Sequence, residues 1–383
     1  MITSLFIGCF AVLQIVWFGF FLKKYTSGIS NKKQLFFVIL LLVEHFFFGY
    51  VAYKFTLQNP ISDVKNYLKY ALNPVTSEQF YFVGHDFFIL MYRLLFRIGF
   101  NFQLLFLSSV LVSSIPFVLL FKRYLELGSG KIHWLQYTLL LPSFHFWSVL
   151  PGKDCLVFVM LVFILYKLKE VQFSWSILVA LLFLFLVRPY VGVIVLLFLA
   201  VVLFENYKNK IRKEFWIPIV LLSFFGVVFF LTQFVKLETL SIESVLLKFK
   251  TYQNYVEKHA TPNYLIDMGY MGQVLMLLCM PLFYKVENSF QFVSSIENVV
   301  LLSFIIYFFF KKFYNHARNW LELDVKFALY TSISIFLFLS TYIYNLGLAS
   351  RMRLMFYPLF FYVMAQSLKK DKLNKLNEKD KNS

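Results

Sequence analysis

Apolar runs and short basic clusters alternate along almost the whole chain. A helix rises 1.5 Å per residue, so about 20 apolar residues cross a hydrocarbon core of roughly 30 Å. On that measure the runs predict crossings at 2–22, 34–53, 102–121, 134–150, 155–168, 173–187, 191–205, 216–232, 298–310, 324–346 and 353–368. The fold class that follows is all-α, a polytopic transmembrane helix bundle of about eleven crossings.

The basic clusters fix the expected orientation. Lys23 to Lys33, Lys122 to Lys131, Lys167 to Glu170, Lys208 to Lys213, Lys311 to Arg318 and the residues from Lys369 onward all fall on one side of these crossings. Positive-inside bias makes that side cytoplasmic, with the amino terminus outside and the carboxyl terminus inside. Two apolar stretches remain, Phe80 to Phe100 and Gly272 to Phe283. If both crossed, the basic loops between them would move outside, so both are expected as re-entrant or interfacial helices on the outer face. A single transmembrane domain, 1–368, then carries outer loops at 54–101 and 232–297, and a disordered basic cytoplasmic tail occupies 369–383.

Composition agrees with this reading. Of 383 residues, 60% are hydrophobic and 15% charged, and the mean hydropathy is +0.70, beyond what a water-soluble core of this length requires. The net charge of +17 lies in interhelical loops and the tail, where topology accounts for it, so a nucleic-acid partner is not expected. Cys9, Cys155 and Cys279 lie far apart in apolar runs, without metal or redox spacing. The first run has no basic residues before it and no small-residue cleavage site, and reads as a retained span.

Charges inside apolar runs carry the chemistry. Pro151-Gly152-Lys153-Asp154 interrupts two runs that are both short for a crossing, and Arg188-Pro189 does the same. Charged groups at that depth are costly unless they meet a partner or line a wet cavity, which makes Lys153, Asp154 and Arg188 candidate site residues. An arginine fork suits phosphate oxygens bidentately. Arg351 and Arg353 open the last crossing, Tyr190 follows Arg188, and Arg93 and Arg97 share a helix face, so all five are candidate binders of an anionic substrate. His145, in a span, and Asp63, in the first long outer loop, are candidate proton carriers. Glu44-His45 inside the second span reads first as interhelical hydrogen bonding.

Several chemistries are excluded. The chain has no Gly-rich phosphate loop, no His-x-x-x-His or Cys/His cluster, no Gly-x-Ser-x-Gly elbow and no Asp-Asp-x-x-Asp pair. Neither a nucleotide nor a metal cofactor is expected. Cationic electrostatics in a wet intramembrane cavity remain, and they suit a phosphate-bearing lipid.

With Pro142-Ser143-Phe144-His145-Phe146-Trp147-Ser148, Gly152-Lys153-Asp154, Arg188-Pro189-Tyr190-Val191-Gly192, the early Asp63 and Tyr67, and the late Arg351-x-Arg353, the chain resembles bacterial O-antigen and capsular polysaccharide polymerases of the Wzy type and related exopolysaccharide polymerases. It departs from them around Arg188 and Arg353, where their arginine-to-glycine spacing is not found. Asp63 is also similar in placement to the catalytic acid of GT-C membrane glycosyltransferases, although here its loop follows the second crossing and not the first. The resemblance implies an enzyme of the bacterial inner membrane that joins polyprenyl-diphosphate-linked oligosaccharides, with membrane lipid and other polysaccharide-assembly proteins as partners. A GT-C-like transferase that moves one sugar from a polyprenyl-phosphate donor is one alternative, and a lipid-oligosaccharide flippase or small-anion transporter is the alternative from a different class.

Overall fold

The computed structural model describes residues 2–26, 29, 31–59, 62–73, 83–127, 134–169, 174–207, 221, 224–226, 228, 232, 239, 241–259, 269–283, 286, 289–314, 322–341 and 343–366. The expected crossing at 216–232 lies almost wholly outside them, as does the tail at 369–383. Every regular element among the described residues is helical, and two compact units can be distinguished, Met1–Arg188 and Pro189–Ser383.

The first unit contains α1 (Ile2–Thr26), α2 (Lys32–Gln58), α3 (Asp63–Leu72), α4 (His85–Arg97), α5 (Phe102–Leu127), a 3₁₀ turn (Trp134–Leu140), α6 (Pro142–Val149), α7 (Lys153–Lys169) and α8 (Trp175–Val187). Its centre is α5, which packs against α1, α2, α6 and α7. In the most apolar stretch of α5, 78% of positions are buried, against 6% in α1. Sequence-wise both are apolar spans, so burial separates a helix walled by protein from one that faces its surroundings. Gly49 of α2 allows the closest approach to α5, since a Cβ there would lie 2.6 Å from Val110 Cγ2.

The second unit contains α9 (Pro189–Tyr207), α10 (Ile242–His259), α11 (Gly269–Cys279), α12 (Ser289–Tyr314), α13 (Leu323–Ser340), α14 (Leu346–Met352), a 3₁₀ turn (Arg353–Met355) and a last helix at 357–366. Here α13 packs along α9, and α11 touches α12, α13 and α14. Asn345 starts α14 by accepting from the Leu348 N–H at 2.7 Å, which satisfies one of the orphan donors of its first turn.

Among the described residues, five helices are long and apolar enough to cross a membrane: Ile7–Thr26, Lys32–Gln58, Phe102–Glu126, Ser289–Phe308 and Leu323–Ser340. The expected single crossing at 134–150 is not one helix. Its chain runs through the 3₁₀ turn, breaks at extended Leu141, and restarts with Pro142 at the first helical position, where a missing N–H costs nothing. Then α6 and α7 pass the span test together but are bent by 111°. Trp175–Val187, Pro189–Glu205 and Gly269–Cys279 are shorter apolar helices. Among the described residues, therefore, about half of the eleven expected crossings are full-length spans.

Candidate functional site

The bend between α6 and α7 is built around the Pro151-Gly152 turn, and α3 and α4 fold over it. Two amphipathic helices form this cover. Ser62 caps α3 by accepting from the Lys65 N–H at 3.3 Å, Asp63 in the first turn complements the helix dipole, and Val64 and Tyr67 turn inward. In α4 the buried face is Phe88, Ile89 and Tyr92, at helical spacing. Gly84, with φ +65°, starts α4 in a conformation that disfavours side chains, and its N–H reaches the carbonyl of Leu186 at 2.6 Å, one of the orphan carbonyls at the end of α8. Tyr92 donates its hydroxyl to the carbonyl of Pro151 at 2.6 Å and thereby ties α4 to the turn.

The charged residues of the turn gather under this cover. Asp154, in the first turn of α7, and Arg188, at the end of α8, are both buried and form a direct ion pair. Lys153 projects its ammonium over the Tyr67 ring at 5.7 Å and remains partly exposed. His85 packs against Tyr67 and Tyr70, with ring centroids 5.1 and 5.8 Å away. Its pKa is lowered from the ordinary imidazole value, first by burial and then by the Lys153 cation, against the opposing carboxylates of Asp86 and Asp63. Four ionisable groups predicted separately, Asp63, Lys153, Asp154 and Arg188, thus belong to one neighbourhood, and His85 and Asp86 join them. Behind the turn lies a cavity of ≈ 150 Å³, lined by apolar groups that include Phe88, Tyr92, Leu105, Gly152 and Leu156.

Other predicted residues sit elsewhere. Arg93 donates to the carbonyls of Tyr70 at 3.1 Å and Asn73 at 3.3 Å, so it closes the carboxyl end of α3 and is not poised for phosphate. Arg97 is exposed in the last turn of α4. His145 is fully buried, with Nδ1 at 2.9 Å from Nδ1 of His45 and Nε2 at 2.8 Å from the carbonyl of Leu139. The interhelical hydrogen bonding expected of His45 is thereby found, and its partner is His145.

In the second unit Arg353 is 1% exposed. Its Nε donates to Leu277 O at 2.8 Å, its Nη2 to Met276 O at 2.9 Å and Met280 O at 2.6 Å, and its Nη1 to Asn298 Oδ1. Tyr357 donates to Leu278 O. Arg353 is therefore the cap of α11: it donates to the orphan carbonyls and meets the negative end of the helix dipole. The expectation that it binds substrate phosphate is replaced by this role, since its fork is spent on protein oxygens. Arg351 is half-buried in the last turn of α14. Tyr190 stacks on Phe338 with centroids 5.0 Å apart, and its hydroxyl lies 4.0 Å from Met355 Sδ, so it serves packing in this unit.

Sequence reasoning missed α3 as a helix, though Ser62-Asp63 before Val64 and Tyr67 is a readable start signal. It grouped His85 and Asp86 with the charged residues of the first long loop but gave His85 no role in the site. Among the described residues no group of three His, Cys, Asp or Glu is placed to hold a metal ion. The helices define the chain as a helical membrane protein. Compared with known proteins, it matches no family model, no curated protein and no solved structure.

Proposed function

We propose that the chain is a membrane-embedded glycosyl polymerase that extends polyprenyl-diphosphate-linked oligosaccharides at the outer face of a bacterial inner membrane. The observation that carries this reading is the convergence of Lys153, the Asp154–Arg188 pair, His85 and Asp63 at a break between two apolar helices. A sugar hydroxyl of one repeat unit attacks the anomeric carbon of a second chain, and its diphosphate leaves. Negative charge grows on the departing oxygen, and a fixed cation there stabilises the transition state more than the ground state.

The geometry divides the roles. Asp154 and Arg188 pair with each other at the turn, and Lys153, partly exposed beside them, is the cation we assign to the diphosphate. Asp63, one of the two carboxylates facing His85 beside Lys153, is the residue we assign to accept the hydroxyl proton. Tyr70, exposed beside His85, offers a ring face to sugar, and the apolar cavity behind Gly152 suits the first part of an isoprenoid chain. The proposed topology has the amino terminus outside and the carboxyl terminus in the cytoplasm, with α6 and α7 entering and leaving on the cytoplasmic side.

Purified protein in detergent, given only the lipid-diphosphate repeat unit, is expected to lengthen it without nucleotide and in the presence of a chelator. Folded protein that leaves authentic repeat units unchanged, yet moves them across liposomes, overturns the polymerase and favours a flippase.

A further inference from the structure

The cavity behind the Pro151-Gly152 turn lies between α4, α5 and α7. Four polar side chains line it, Tyr92, Ser108, Ser109 and Cys155, and each is spent on another protein group. Tyr92 donates to the Pro151 carbonyl at 2.6 Å. Ser108 donates to the Leu104 carbonyl at 2.7 Å and accepts from Gln14 Nε2 at 2.8 Å. Ser109 donates to the Cys155 sulfur at 3.4 Å. A buried water needs roughly two to four polar partners, whereas an apolar cavity of about 150 Å³ stays dry and takes up a molecule the size of benzene. This cavity has that volume, ≈ 150 Å³, and so holds about six carbons of hydrocarbon.

Hydrocarbon can reach it. Phe88, Tyr92 and Cys155 are buried in its floor, while Met91, Leu95 and Leu156 in the same wall keep part of their surface. On one side stands α5, which is long and apolar enough to cross a membrane, so lipid chains lie beside the opening. A cation stands close by. Gly152 lines the cavity, and the next residue, Lys153, holds its ammonium 5.7 Å from the Tyr67 ring. Tyr67 packs in turn on Phe88 and Tyr92 of the wall, at centroid distances of 5.3 and 6.0 Å. The ammonium and the apolar wall thus share one neighbouring ring, an arrangement that matches a phosphate joined to a hydrocarbon chain.

We propose that this cavity is a saturable binding site for about six carbons of the chain of a phosphate-bearing lipid, with Lys153 at the phosphate. The shared chemistry is an apolar chain below an anionic head, carried by an isoprenyl phosphate or by an anionic phospholipid of the bilayer. Only the choice between these two rests on the proposed function; a chain lodges here whether or not the protein joins sugars. Gly152 controls the space. It does not lie at positive φ, and a Cβ there would meet nothing nearer than the Leu150 carbonyl at 3.8 Å, so the backbone accepts a larger side chain that fills the cavity.

Photo-crosslinking in phosphatidylcholine nanodiscs tests it, with diazirine-bearing geranyl phosphate in one arm and phosphatidylglycerol with a diazirine in one acyl chain in the other. Mass spectrometry of the peptides locates the adducts. Labelling of Phe88, Tyr92, Leu105 or Cys155 that saturates with probe is expected in at least one arm, and the arm that labels names the lipid. Gly152→Leu is expected to weaken it by about tenfold or more, the affinity that burying about two methylenes supplies. If that variant does not fold, competition by the unlabelled probe lipid in wild-type protein takes its place. Labelling confined in both arms to exposed residues such as Leu94 and Ile98 overturns the proposal, as does wall labelling that fails to saturate or that Gly152→Leu leaves unchanged. Binding is read here and not chain elongation, so failure of this site and failure of the polymerase show separately.

Discussion

Arg188 and Asp154, 34 positions apart, pair where the end of α8 meets the first turn of α7. Removing one partner breaks a buried ion pair, at a cost of about 3–5 kcal/mol. Arg188→Ala and Asp154→Ala are each expected to lower thermal stability in detergent as well as activity. The double variant Asp154→Asn with Arg188→Gln, which buries no charge, is expected to recover most of the stability and little activity. A double variant no more stable than the singles refutes the coupling.

Arg353 gives the opposite pattern. Its charge-assisted bonds to the carbonyls at the end of α11 contribute about 1.5–3 kcal/mol each, so Arg353→Ala is expected to destabilise the protein severely. Activity should fall in step with the folded fraction, measured by fluorescence-detected gel filtration. Folded but inactive Arg353→Ala protein would return this residue to the substrate site.

His85 reports on Lys153. Because burial and the Lys153 cation depress its pKa, folded protein binds fewer protons than the unfolded chain between the depressed value and about 6.5. Stability therefore rises with pH through that window and is lost as the pH falls through it. Lys153→Met removes one of the depressing causes, so the His85 titration, followed by NMR, should move up toward the ordinary value. A bound diphosphate near Lys153 should move it the same way, with proton uptake on binding. An unchanged midpoint in Lys153→Met separates the two residues.

Gly49 sets the spacing of α2 and α5. Gly49→Val should force Val110 aside and cost about 1–3 kcal/mol through overpacking. Val110→Ala in the same chain should restore part of the loss, as read from the unfolding temperature. Additive effects of the two substitutions count against the contact.

The long spans were legible because an apolar run is a local property. Residues 2–22, 34–53 and 102–121 became α1, α2 and α5 with ends a few residues farther on, and polar ends such as Gln58 extend the helix without extending the hydropathy signal. Partners were not legible, because they are distant in sequence. Arg353 reads as a substrate ligand until the carbonyls of 276, 277 and 280 are placed around it. Arg93 reads as an anion binder while α3 is taken for a loop, since its two acceptors exist only where that helix ends. Lys153 and Arg188, both set deep in apolar sequence, are brought to one turn beside Asp154, because a charge that hydrocarbon cannot tolerate needs a counter-charge somewhere in the fold.

The 111° turn at Pro151-Gly152 also governs parity. A straight helix moves the chain from one compartment to the other, and every loop after it changes side. A hairpin returns the chain to its starting compartment, however deep its tip. Lys131 precedes α6 and Lys167 and Lys169 end α7, and a shared side for these lysines fits a return and not a passage. On the proposed topology, insertions or deletions that change the depth of this hairpin leave the addresses of later loops untouched, whereas straightening α6 and α7 into one rod would invert them.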